Sequence, residues 1–272
     1  MKMRLAAALC AALLPQAAQA AQAADWRTPD PETLLVIDTS RGRMVVEMAP
    51  EVAPQAVERV KLLAREGVYD GLLFHRVIEG FVAQTGNPNN RDGGTSRHPD
   101  LPPEFTFRLT PALKEEVVFV TQASDARSGF LRALPIAAVS AGEEARARNG
   151  RVLAWGAYCP GVFGMGRQAD PGTANSEIFV MLDAARRLDR DYTPFGRLVQ
   201  GMEVARALAV GEPPQAPDSM VRVRLAADLP EAERPKLEIA DPAGEVFQAR
   251  LAALRAEKGA DFTVCDLEIP VR

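Results

Sequence analysis

The sequence predicts a mainly β protein whose strands form a closed sheet or barrel, with only a few helices. Short β-branched and apolar runs recur along the chain between turn residues, helical spacing is confined to a few stretches, and there is no internal repeat. The chain has 272 residues, 47% hydrophobic and 25% charged, a globular composition sufficient for one large or two small domains.

In order along the chain, Thr33–Thr39 and Arg43–Ala49 are apolar and β-branched around Ser40-Arg41-Gly42, which reads as a hairpin. Pro50 and Pro54 break the pattern. A helix is expected from Pro54, where a missing N–H matters little, with Ala56, Val60 and Leu63 on one face and Gly67 as its stop. Residues 71–86 alternate apolar runs with glycines, as tightly turned strands do, and 87–103 form a long polar loop. Strands are expected at Val117–Thr121, Ile136–Ser140, Ser176–Leu182, Phe195–Val199 and Met220–Leu225, and Arg151–Tyr158 is apolar again. Helices are expected at Met202–Ala209 and Pro242–Lys258, and a last strand at Phe262–Ile269.

The first twenty residues read as an export signal. Lys2 and Arg4 precede the apolar run Leu5–Leu14, and Ala18-Gln19-Ala20 offers a small-residue cleavage site. A bilayer span needs about 20 apolar residues, so this run is too short to be an anchor. Cleavage after Ala20 leaves 30 basic and 36 acidic residues, a net charge of −6, with no concentrated cationic face for nucleic acid. A periplasmic or secreted location is expected, with no stable membrane insertion after cleavage. Removal of the leader takes Cys10 and leaves Cys159 and Cys265. They could form a disulfide or remain two buried thiols, and the sequence does not choose.

The informative segment is Phe74-His75-Arg76-Val77-Ile78-Glu79-Gly80-Phe81-Val82-Ala83-Gln84. Further motifs follow in order: Asp92-Gly93-Gly94-Thr95, Asp170-Pro171, Ala174-Asn175-Ser176-Glu177-Ile178-Phe179, and Leu188-Asp189 through Phe195-Gly196-Arg197. Together these resemble the signature segments of the cyclophilin-type peptidyl-prolyl cis–trans isomerases, in patches over 34–110 and 161–227. The resemblance implies an eight-stranded antiparallel barrel capped by two helices, occupying 33–230 after a signal peptide at 1–20. Within it, 111–160 is an insertion that compact family members lack, and 231–272 is a C-terminal extension with a helix/strand tail.

The resemblance also implies a site. Arg76 is its catalytic residue. Phe81, Val82, Phe179 and Leu188 line a proline socket, Tyr192 stands at its rim, and Gln84 positions Arg76 or the substrate carbonyl. Gly166 and Arg167 match the segment that contacts peptide backbone. Glu177 stands where the family carries a substrate-binding Gln, and Arg187 where many members carry Trp or Phe. The expected activity is isomerisation of X–Pro bonds in exported polypeptides, assisting their folding, with no cofactor. A proline-peptide-binding or chaperone module without turnover is the alternative on the same fold. His75, His98, Cys159 and Cys265 have no spacing that resembles a zinc motif, so no metal is expected. The insertion is expected either to flank the groove, because Pro160 lies only six residues before Gly166, or to be a stabilising excursion packed on the barrel away from it.

Overall fold

A computed structural model describes residues 25–146 and 151–272; the signal peptide expected at 1–20 lies outside the described residues. The chain begins with β1 (Trp26–Arg27), then the hairpin of β2 (Leu34–Thr39) and β3 (Gly42–Met48) and helix α1 (Pro54–Arg65). Strands β4 (Arg76–Ile78), β5 (Val82–Thr85) and β6 (Phe107–Leu109) follow, and then the short helix α2 (Pro111–Glu115). Next come β7 (Val117–Gln122), β8 (Ala126–Leu131), β9 (Leu134–Val139), the short α3 (Ala141–Glu144) and β10 (Val152–Gly156). The remaining elements are β11 (Val162–Met165), β12 (Ile178–Met181), β13 (Pro194–Gln200), α4 (Met202–Arg206), β14 (Met220–Leu225), β15 (Ile239–Ala240) and α5 (Glu245–Lys258).

Eight strands form one antiparallel sheet in the order β14-β2-β3-β13-β11-β12-β5-β4. Its two edges meet. Val77 of β4 bridges Gly211, and Leu73 bridges Ser219 just before β14. Phe74 N–H donates to Asp218 O at 2.9 Å and Met220 N–H to Leu72 O at 2.8 Å, so backbone groups at the seam are satisfied. Leu35, Ile37, Met44, Val46, Met48, Phe163 and Phe195 fill the interior, and α1 adds Ala56, Val57, Val60 and Leu63 to the same core. Helix α1 lies against β13 and β14, and α4 against β3.

The insertion folds as a second, five-stranded sheet in the order β6-β10-β9-β8-β7, beginning at Phe107, slightly ahead of Pro111. The two apolar runs the sequence singles out, in β7 and β10, do not pair, because β8 and β9 stand between them. Strand β8 escapes sequence reading because Ala126–Leu131 carries Arg, Ser and Gly in place of an alternating pattern. Its Gly129 is required by packing, since an added Cβ would overlap the Val118 carbonyl of β7. A second apolar core lies between this sheet, the outer face of the barrel and the tail. There Phe130 of β8 meets Phe247 of α5 edge to face, with ring centroids 5.4 Å apart.

The tail departs from expectation. Helix α5 forms, but Phe262–Ile269 is not a strand. Its centre is a 3-10 turn over Val264–Asp266, closed by a capping box in which Asp266 accepts from the Thr263 N–H at 2.7 Å. That local hydrogen bonding competes with extended pairing. The strand of the tail is instead β15, which pairs with β1 at the other end of the chain. Cys159 and Cys265 are joined by a disulfide across a sequence separation of 106, tying the tail to the end of the insertion.

A crosslink spanning about 100 residues is worth about 4–5 kcal/mol in the chain-entropy model. The Cys159→Ser, Cys265→Ser double variant should therefore unfold at a clearly lower urea concentration than the oxidised parent. Equal midpoints would show that the crosslink leaves stability unchanged.

Candidate active site

The site is one row of side chains across the sheet. The register sets Arg76 of β4 opposite Gln84 of β5, Gln84 opposite Phe179 of β12, and Phe179 opposite Gly164 of β11. Successive residues of a strand point to opposite faces. Val77, Ala83, Ile178 and Val180 accordingly join the barrel core, while Val82, Phe179 and Met181 belong to the outer core. The seam extends the row by one place. Because Val77 and Gly211 form an antiparallel bridge, Glu212 comes beside Arg76.

Hydrogen bonds run along this row. Arg76 Nε donates to Glu212 Oε2 at 2.6 Å and Arg76 Nη1 to Gln84 Oε1 at 3.1 Å. Gln84 Nε2 donates to Glu177 Oε1, and Asn87 Nδ2 donates to Glu177 Oε2. The Gln84 amide is thus oriented by Glu177 and turns its oxygen toward the guanidinium. Burial pushes the Glu177 carboxyl above the usual carboxylate range, against the lowering effect of the two amide donors. His75 Nε2 lies 3.1 Å from Asp92 Oδ1, and burial moves its imidazole below its ordinary value.

Beside this polar line is an aromatic floor. Phe179 meets Tyr192 edge to face at 5.7 Å and lies over Tyr158 of the insertion at 5.8 Å. Gly164 leaves room for this packing, since a Cβ there would stand 2.5 Å from Phe179 Cζ and 2.7 Å from the Tyr158 hydroxyl. Arg167 covers Tyr192 at 4.5 Å and is tied to Asp191 at 2.7 Å. Arg187 lies over Phe81 at 4.5 Å, a guanidinium facing the ring at the position where many members carry an aromatic residue. The open space above is a groove of about 500 Å³.

All ten residues singled out in the sequence, Arg76, Phe81, Val82, Gln84, Gly166, Arg167, Glu177, Phe179, Leu188 and Tyr192, line this groove. Asp92, Gln168 and Glu212 line it too. Glu212 carried no sequence signal, standing 136 residues from the arginine it pairs with. Among the described residues, none of 111–160 is in the lining, contrary to the expected flanking flap. The insertion backs the floor through Tyr158, because the groove's apolar side is also the outer wall of the second core. The four residues weighed as metal ligands do not assemble: the cysteines are bonded to each other, His98 pairs with Glu66 at 2.9 Å, and His75 faces Asp92.

The family model described as cyclophilin type peptidyl-prolyl cis-trans isomerase/CLD matches residues 34–226. A probable peptidyl-prolyl cis-trans isomerase of Brucella suis is 30% identical over 240 residues, covering 82% of this chain and 95% of its own length. A peptidyl-prolyl cis-trans isomerase of Schizosaccharomyces pombe is 29% identical over 175 residues, covering 64% of this chain and 83% of its own. The crystal structure of a cyclophilin from Hirschia baltica superposes with a TM-score of 0.83 at 32% identity, covering 96% of this chain and 98% of its own. That likeness extends over the insertion and tail as well as the barrel.

Filling the space at Gly164 tests the floor. Gly164→Ala should displace the Phe179 ring, cost about 1–3 kcal/mol by overpacking, and weaken peptide binding more than it slows turnover of bound peptide. Denaturation and a KM-against-kcat comparison would check this, and an unchanged KM would show that the ring keeps its place.

Proposed function

The chain belongs to the cyclophilin-type peptidyl-prolyl cis–trans isomerase family, and from that premise we propose how its residues divide the work: Arg76 is the catalytic donor, the Phe179 floor holds the proline ring, and the clients are exported polypeptides. Rotation about an X–Pro bond is slow because the proline nitrogen lone pair is delocalised into the carbonyl, with a barrier of about 18–20 kcal/mol. A donor that hydrogen-bonds the nitrogen as it becomes pyramidal stabilises the twisted state and leaves the planar ground states largely alone. No proton has to be transferred and no covalent intermediate formed.

The observation that carries this assignment is the fixed guanidinium beside an aromatic-floored groove. Glu212 takes the Nε hydrogen and Gln84 takes one from Nη1, leaving Nη2 and the second Nη1 hydrogen for the substrate. Orientation is settled before substrate arrives, which is what makes a single donor effective. Phe81, Val82, Leu188 and Tyr192 complete an apolar socket for the ring, and Gly166 and Arg167 border the path for peptide backbone. Among the described residues no helix is long and apolar enough to cross a membrane. The leader read at 1–20 and the cysteine pair support an oxidising, extracytoplasmic setting, where the natural role would be to speed the folding of exported proteins.

Arg76→Ala should lower kcat/KM on an X–Pro peptide by about two to three orders of magnitude with little loss of stability. Arg76→Lys should not restore it, because an ammonium cannot reproduce the planar fork held by Glu212 and Gln84. Parent-like rates in either variant would remove Arg76 from the role. For export, intact-mass measurement of protein from the cell envelope should place the N-terminus within 21–25, and retention of Met1 would refute it.

A further inference from the structure

At the wall of the groove three side chains with metal-ligating atoms converge, and of these only Glu177 has a part in the hydrogen-bonded line to Arg76. His75, Asp92 and Glu177 each bring one ligating atom into a space where all three lie within 4.8 Å of one another. His75 Nε2 is 3.1 Å from Asp92 Oδ1 and 3.8 Å from Glu177 Oε2. Ligands sharing one tetrahedral ion at about 2.0–2.2 Å stand about 3.3–3.6 Å apart. The observed spacings fall near that range.

We propose that His75, Asp92 and Glu177 form a binding site for a divalent transition-metal ion, and that occupancy inhibits the isomerase. One imidazole with two carboxylates suits zinc, nickel or copper better than magnesium or calcium, which favour oxygen ligands alone. Three protein ligands at a groove wall leave further coordination positions for water. Among the described residues, neither Asp92 nor Glu177 has a lysine or arginine partner, since Arg76 is held by Glu212 and Gln84. Glu177 stands where the family motif carries Gln, so the third ligand comes from a departure from that motif. Asn87 is fully buried and its amide nitrogen donates to Glu177 Oε2, a hydrogen bond that a bound ion has to displace, while its own Oδ1 has no hydrogen-bond partner.

The inhibitory half rests on the isomerase reading; the binding half stands without it. Glu177 orients Gln84, and Gln84 orients Arg76. An ion that draws the carboxylate toward His75 and Asp92 competes with the Gln84 amide, loosens the arginine and obstructs the peptide path.

The test is equilibrium dialysis of the oxidised mature protein against zinc, with elemental analysis. Its two retained cysteines are bonded to each other and offer no competing thiol. One equivalent should bind in the micromolar range. Asp92→Asn and Glu177→Gln should each weaken binding at least about tenfold, the lower end of losses seen even for groups outside the coordination shell. His98→Gln controls for the surface His98–Glu66 pair and should change nothing. Asp92 is 68% exposed at its side chain, so its variant should fold even if the buried Glu177 variant does not. Absence of bound zinc, or equal affinity in Asp92→Asn, overturns the site. In parallel, zinc should lower the isomerisation rate with the same midpoint, reversed by chelation, and the midpoint should rise in Asp92→Asn. Binding without loss of rate overturns the inhibition alone, whereas a metal-free parent with no rate above background counts against the isomerase reading.

Discussion

Strand β12 is buried on both faces, and its alternation is the constraint on which the rest of the structure depends. Ile178 and Val180 complete the barrel interior; Phe179 and Met181 face the second core. A slip of one residue would exchange these sets, placing Phe179 inside the barrel and Ile178 in the groove. The same register brings Gln84 against Phe179 and Arg76 against Gln84. Barrel closure then adds Glu212. The geometry of the groove and the packing of the core are therefore set by one set of backbone hydrogen bonds.

The inserted sheet and the tail act on the groove from behind. Tyr158 N–H donates to Asp189 Oδ1 at 2.9 Å and Ala185 N–H to Tyr158 O at 2.8 Å, which fastens the segment bearing Leu188 and Tyr192 to the end of the insertion. Arg190 lies over Trp155 at 3.6 Å in the same region. Arg197 of β13 joins all three parts, donating to Ala133 O at 3.3 Å and Leu267 O at 3.0 Å. Burial lowers that guanidinium to about 10, still well above neutrality, so it remains a cationic donor at the junction. The disulfide is adjacent to Tyr158 in sequence and completes the clamp. A compact barrel needs none of this; here the aromatic floor is part of a larger core.

Electrostatically, the site is a line with carboxylates at both ends. Glu212 is half exposed, and its ion pair contributes orientation more than stability, since exposed pairs are worth little. Glu177 is buried, and two amide donors offset part of the cost of removing its charge from water. Gly166 has to be glycine beside it, because a Cβ would overlap the Glu177 side chain. The Gln84 amide has one orientation here: a guanidinium can only donate and a carboxylate can only accept, so its oxygen turns to Arg76 and its nitrogen to Glu177.

The sequence by itself determined the local and the contiguous. The hairpin before α1, the proline that starts that helix and the ordered motifs that gather the groove are all written in short segments, where period and turn chemistry act within a few residues. Long-range contacts were left to the tertiary structure. Glu212 reaches Arg76 only through barrel closure, and the insertion lies behind the groove because its apolar strands needed the barrel's outer face to bury against. Strand β8 holds a glycine because β7 approaches it too closely at Val118 for a side chain, and the tail's strand is Ile239–Ala240 because β1 supplies an edge there. Cys159 meets Cys265 for the same reason. Pairing at such separations depends on which surfaces remain to be buried once the local elements have formed, and no short stretch of sequence carries that information.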